Sequence, residues 1–201
     1  MAGQGSRSGW DSFRSGGAVV FAVALLGFSG LALQRGNAEF LFYGGVMILL
    51  AGAVLALDHK VHLSRAVLLG LLVWAILHLA GGNVAIGEGR VLYNWRPSPG
   101  LPRYDQLVHA YGFAVATLLS WECLSSAMAA RTHKRTRPTT GIVVAAALMG
   151  MGLGALNEVV EFIATITLPQ TNVGGYDNTG WDLVSNMTGA AAMAVWIRVS
   201  Q

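Results

Sequence analysis

Charge is what this chain has least of. Only 11% of its residues are Asp, Glu, Lys or Arg, against 54% hydrophobic, and the mean hydropathy is +0.53. A water-soluble domain carries about a quarter of its residues charged, so the shortage excludes an aqueous domain as the main fold. Cysteine is reduced to Cys123, which excludes an internal disulfide; its apolar helical setting reads as a buried, unreactive thiol. No internal repeat is found, which leaves an inverted-repeat transporter without support. H-E-x-x-H, P-loop and G-x-S-x-G motifs are all absent. The net charge of +3 comes from basic residues lying between apolar runs, with no RNA- or DNA-binding motif around them, so no nucleic-acid partner is expected.

What the chain does have is long apolar runs. They fall at about residues 17–33, 40–57, 66–80, 104–130, 142–168 and 181–199. Each suits a helix, because backbone groups in lipid must pair within their own segment. The 201 residues leave room for about six spans of some 20 residues and no separate soluble domain. The expected fold is therefore all-α: a polytopic bundle of about six transmembrane helices, one domain over residues 17–200. Met1 to Gly16, rich in Gly and Ser and without apolar periodicity, reads as a disordered cytoplasmic tail. The first run lacks a clear small-x-small cleavage site and reads as a retained span rather than a signal peptide. The third run is the shortest, with Gly81 to Ile86 available to extend it.

Basic residues in short loops stay on the cytoplasmic side. Arg7, Arg14, Lys60, Arg65, Arg131, Lys134, Arg135, Arg137 and Arg198 fall on one side of six alternating spans; Arg35, Arg90, Arg96 and Arg103 fall on the other. Nine against four of the 13 places both ends in the cytoplasm. The even number of spans and the charge bias agree. Gly150 and Gly154 make a G-x-x-x-G pair in the fifth span, read as a site of helix packing inside the bundle.

Ionisable groups in a span demand a partner, water or a function. Here they share one depth. Asp105 and His109 lie four apart at the outer start of the fourth span, on one face. Glu158 and Glu161 lie about 24 to 29 Å along the fifth span from Ile142, at about 1.5 Å rise per residue, which is again the outer half. Asp182 and Asn186 lie four apart where the sixth span re-enters, after Asp177, and His78 lies beyond the midpoint of the third. Glu122, about 25 Å below Asp105, sits apart near the cytoplasmic face. Imidazole nitrogen and carboxylate oxygens together suit a divalent cation, so His78, Asp105, His109, Glu158 and Asp182 are candidate ligands. Glu158, Glu161 and His109 are the candidate catalytic groups, as base, acid or both. Arg90, Arg103, Asp177 and Asn186 are candidates for holding substrate, the arginines by charge-assisted bonds to phosphate.

Plainer readings stand beside these. Asp105 and Asp182 suit helix starts as caps and dipole partners. His78 suits a packing histidine, and Glu158 and Glu161 suit pairing with Arg90, Arg96 or Arg103 to lock the outer loop. In the second loop Asp58, His59 and His62 have ligand spacing but read as a solvated turn at the membrane surface.

Several segments together resemble a known family. They are His78-Leu-Ala-Gly-Gly82, Leu92-Tyr93, the run from Arg103 to Gly112, Glu158-x-x-Glu161, Asp177-Asn-Thr-Gly-Trp-Asp182 and Asn186-x-x-Gly-Ala190. In these the chain resembles YjdF-like bacterial inner-membrane proteins of unknown function. More distantly, the order of an Asp-x-x-x-His helix, a Glu-bearing helix and an Asp-x-x-x-Asn helix resembles VanZ-like membrane proteins. The first resemblance implies a multi-pass bundle in the bacterial inner membrane and supplies no reaction. Two functional expectations follow. The first is an outer-facing site for a divalent metal ion or a polar lipid headgroup, catalysing lipid-linked hydrolysis or transfer. The other is a non-catalytic subunit or assembly factor, with membrane lipids and other membrane subunits as partners.

Overall fold

The fold follows from segments that must satisfy their own backbone polar groups. A computed structural model describes residues 2–87, 89–133 and 136–200, with side chains from residue 9 onward. Lys134, Arg135 and the side chain of Arg7, used above in the charge count, lie outside the described residues. Six helices run in order: α1 (Ala2–Gln34), α2 (Ala38–Val61), α3 (Arg65–Asn83), α4 (Tyr104–Thr132), α5 (Thr140–Thr167) and α6 (Tyr176–Ser200). No β-strand occurs among the described residues; one isolated antiparallel bridge joins Ala85 and Val91 in the loop before α4.

Helices α1 to α5 are long and apolar enough to cross a membrane. The sixth expected span, α6, is long enough at 25 residues, but Asp177, Asp182 and Asn186 lower its hydropathy. Those polar groups have a place to go. Asp182 and Asn186 are buried, whereas Trp181, Leu183, Val184, Met187 and Val195 on α6 are exposed. An apolar outer face with a polar inner face fits a span whose partners are other helices. The third span does extend as its glycines allow, with α3 continuing through Gly81 and Gly82 to Asn83.

α4, α5 and α6 form the tightest part of the bundle, and α1 packs against α2 and α3 at its edge. Lipid removes most of the hydrophobic drive between helices, so close packing of small residues carries association. A Cβ on Gly189 of α6 would overlap the Ala110 carbonyl oxygen of α4. A Cβ on Gly154 of α5 would lie 2.7 Å from Asn186 Nδ2, and one on Gly150 would run into Thr117. The G-x-x-x-G pair thus packs within the bundle. Toward the basic end, Leu63, Val67, Leu118, Trp121, Val143, Ala146 and Ile197 form one core cluster; toward the other end, Ala32, Phe40, Tyr43 and Ala164 form another.

Two expectations about the basic end need correction. The segment up to Gly16 is not a tail without fold, because α1 begins at Ala2. Asp58 is not solvated either; it is 5% exposed. The cause is one set of contacts made across long sequence separations. Arg14 Nε lies 2.9 Å from Asp58 Oδ2, while Asp58 Oδ1 accepts from the Leu63 N–H at 2.9 Å. The Arg65 guanidinium sits 5.0 Å from the Trp10 ring and 5.3 Å from Phe13, within cation–π range. His59 and His62 remain exposed. Asp58→Ala strands the Leu63 N–H and frees Arg14, so it is expected to destabilise this end by about 2 kcal/mol. Trypsin should then cut after Arg14 faster than in the unchanged protein, as read by gel after timed digestion.

Candidate functional site

Helix direction brings the site together: α4 and α6 start, and α3 and α5 finish, at the end of the bundle away from the basic loops. His109 is its centre, 5% exposed. Its Nδ1 lies 3.0 Å from Asn186 Oδ1. An amide oxygen only accepts, so Nδ1 carries the hydrogen; a neutral ring would then present the Nε2 lone pair to an ion. Around Nε2 stand Asp105 Oδ1 at 3.6 Å and Glu161 Oε1 at 3.6 Å, and Glu158 Oε1 is 3.5 Å from Nδ1.

Those gaps exceed hydrogen-bond lengths. They are close to the spacing of about 3.4 Å between ligands held at about 2.1 Å from one ion at the tetrahedral angle. Two groups, Asp105–His109–Asp182 and His109–Glu158–Glu161, each offer ligand atoms within 4.8 Å of one another. Both carboxylate oxygens of Glu158, Asp182 Oδ1 and Asn186 Nδ2 are buried with no hydrogen-bond partner among the described residues. Buried carboxylates without donors are costly unless a cation or a proton compensates them. The donor set, one imidazole and several carboxylates, fits a first-row divalent ion.

Asn178 organises the mouth of the site. Its Nδ2 donates to Asp182 Oδ2 at 2.6 Å and, more weakly, to Asp105 Oδ2 at 3.4 Å, while its Oδ1 accepts from Arg103 Nη1 at 3.1 Å. Asn157 Nδ2 donates to Glu161 Oε1 at 2.8 Å. Beside this cluster lies a cavity of about 70 Å³, lined by Glu39, Tyr43, His78, Tyr93, Arg103 and Asp105 among others. It has room for a few water molecules.

Of the residues singled out in the sequence, Asp105, His109, Glu158, Glu161, Asp182 and Asn186 come together around one imidazole. His78 reaches the same cavity but falls outside both ligand groups. It sits among Phe40, Tyr43, Trp74 and Tyr93, and its Nδ1 hydrogen-bonds the Tyr93 hydroxyl. Burial pushes the Tyr93 phenol well above its ordinary pKa, so the phenol keeps its proton and donates it to Nδ1. That contact leaves the His78 hydrogen on Nε2 and removes the ring from the ligand set. Arg103 lines the cavity; Arg90 and Asp177 are exposed and do not.

The sequence reading missed Glu39, Tyr43 and Asn178. Glu39 is 6% exposed in the first turn of α2, and its Oε2 accepts from the Asn172 N–H at 2.7 Å, which pins the α5–α6 loop over the site. Asn37 one turn before Phe40 caps α2, and that capping signal was the available clue that the helix, and a buried acid, start before the apolar run. Glu122, as expected, lies apart at the basic end, accepting from the Ser64 N–H at 2.8 Å.

Long apolar helices, a polar core shared by α4, α5 and α6 and no strands among the described residues define a multi-pass, all-α membrane protein. Residues 17–201 match the model of the predicted membrane protein family DUF2238, and the chain belongs to that family. The match agrees with the YjdF-like resemblance and does not extend to VanZ-like proteins. No curated protein and no solved structure matches the chain.

Proposed function

We propose that this chain, a bacterial inner-membrane protein with both ends cytoplasmic, holds a divalent metal ion in the outer half of its bundle and acts there on polar lipid headgroups by hydrolysis or transfer. One observation carries the reading: a buried imidazole held at Nδ1 by Asn186, with four carboxylates gathered around it, of which Glu158 lacks a hydrogen-bond partner on both oxygens and Asp182 on one. His109 Nε2, Asp105, Glu161 and Asp182 are the ligands. Asn186 holds the ring from its far side, the second-sphere contact that fixes the orientation of a ligating histidine. An ion held there would polarise water and a phosphoryl or acyl oxygen. Glu158, with no donor on either oxygen, is the group placed to take the proton of that water. Arg103 faces the cavity and supplies a charge-assisted contact for phosphate.

The alternative, a non-catalytic subunit or assembly factor, draws on the way Asn178 and Glu39 tie loops to helices. The two readings separate on one preparation. Protein purified without chelator should carry about one equivalent of a first-row divalent ion by plasma mass spectrometry, should lose it in Glu161→Ala, and should turn over lipid headgroups only when loaded. A metal-free protein that co-purifies with a stable membrane partner would establish the alternative instead.

A further inference from the structure

The cavity beside the metal cluster has a composition that the metal does not explain. Glu39, Tyr43 and Tyr93 line it together with Asp105. Glu39 is buried, spends one oxygen on the Asn172 N–H, and forms no ion pair with any described residue. Tyr43 is 5% exposed and lines the cavity, yet its hydroxyl has no hydrogen-bond partner among the described residues. The charge is also out of balance. Glu39, Asp105, Glu158, Glu161 and Asp182 face one guanidinium, that of Arg103; a divalent ion and Arg103 together offset three of five carboxylates. Two carboxylates are left for a further cation or for protons, and Glu39, the one on the cavity side away from the metal cluster, is open to the first.

We propose that this cavity is a binding site for an organic ammonium group, seated between the Glu39 carboxylate and the rings of Tyr43 and Tyr93. It names the substrate class of the site described above and rests on that reading. The ammonium N–H groups donate to the second Glu39 oxygen and to Tyr43 Oη, the latter a buried hydroxyl with no partner among the described residues. The aromatic rings favour a weakly hydrated organic cation over a metal ion, which needs a shell of oxygens. Arg103 lines the same cavity, so a phosphate joined to the ammonium meets a guanidinium. The ligand chemistry is therefore zwitterionic: a primary ammonium and a phosphate on a short linker, as in an ethanolamine headgroup, carried by a lipid or free.

The test uses full-length, metal-loaded protein in nanodiscs of phosphatidylglycerol alone, titrated calorimetrically with phosphoethanolamine, ethanolamine and glycerol 3-phosphate. Phosphoethanolamine and ethanolamine should bind, and glycerol 3-phosphate, which lacks the ammonium, about tenfold more weakly or not at all. Glu39→Gln should weaken both ammonium probes about tenfold with the bound metal unchanged. Tyr43→Leu, a second residue of the cavity lining, should do the same, so the result does not hang on one variant folding. Adding phosphatidylethanolamine to the nanodisc should suppress phosphoethanolamine binding if the natural source is a lipid, and leave it unaltered if the source is free; either supports the ammonium site. Equal binding of glycerol 3-phosphate, or no effect of both substitutions, overturns it. Metal present with no ammonium binding sinks this inference alone; ammonium binding without metal sinks the metal reading alone.

Discussion

His109→Ala should strip the bundle of its metal, with affinity falling more than about 100-fold, since even neighbours that merely orient a ligand are worth about 10- to 100-fold. The expectation rests on position. His109 is the one nitrogen donor shared by both candidate ligand groups, and without it only carboxylates remain around the site. Those carboxylates then repel one another in a setting with little water. Removing the imidazole should therefore cost stability as well as metal, and the two readouts should fall together. Asn186→Leu tests the same logic from one step away. It leaves every ligand atom in place and removes only the hydrogen-bond acceptor 3.0 Å from Nδ1, so metal affinity should fall about 10- to 100-fold with smaller loss of fold. Equilibrium dialysis against a competing chelator, run beside thermal unfolding, separates these outcomes. Full metal content in His109→Ala would refute the site.

Gly189→Ala should be the most damaging single-methyl change in the protein. At this point α4 and α6 touch through backbone, and the new Cβ would overlap the Ala110 carbonyl oxygen. A backbone atom has no rotamer to retreat into, so the helices must separate. Overpacking ordinarily costs about 1 to 3 kcal/mol, and a backbone clash belongs at the top of that range or above it. Separation would also move Asn186, one turn away on α6, off His109, so metal binding should weaken in a variant whose mutation touches no ligand. Gly180→Ala on the same helix is the control. Nothing lies within 4 Å of a Cβ there, and replacing glycine inside a helix should stabilise by about 0.5 to 1 kcal/mol. Thermal unfolding of both variants in detergent should give opposite signs.

Depth along a helix was legible in the sequence because rise per residue is fixed. Asp105, His109, Glu158, Glu161 and Asp182 were placed at one level from spacing alone, and they meet. Direction around the helix axis was harder. His78 is at the right depth but turns to Phe40, Tyr43 and Tyr93, partners whose arrangement depends on how α2 and α3 pack. On α6 the productive face follows steps of four, Asn178, Asp182 and Asn186; Asp177, one residue off that line, turns outward by about 100°. Extending the 182–186 spacing backward by four would have found Asn178. Glu39 was overlooked because it stands just before an apolar run, where a carboxylate looks like loop. The contacts of Arg14 with Asp58, and of Arg65 with Trp10, span 44 and 55 positions, and no local pattern announces them.

The low hydropathy of α6 also bears on how the protein is made. Chains are synthesised from the N-terminus, so α4 reaches the bilayer with Asp105 and His109 before α5 and α6 exist to receive them. α6 in turn carries two aspartates and two asparagines that a lone helix would expose to lipid. Its inner face matches the groups already waiting on α4 and α5. Insertion of the last three helices is thus a joint event: α6 partitions into the bilayer by docking, and the step that completes the topology is also the step that assembles the site.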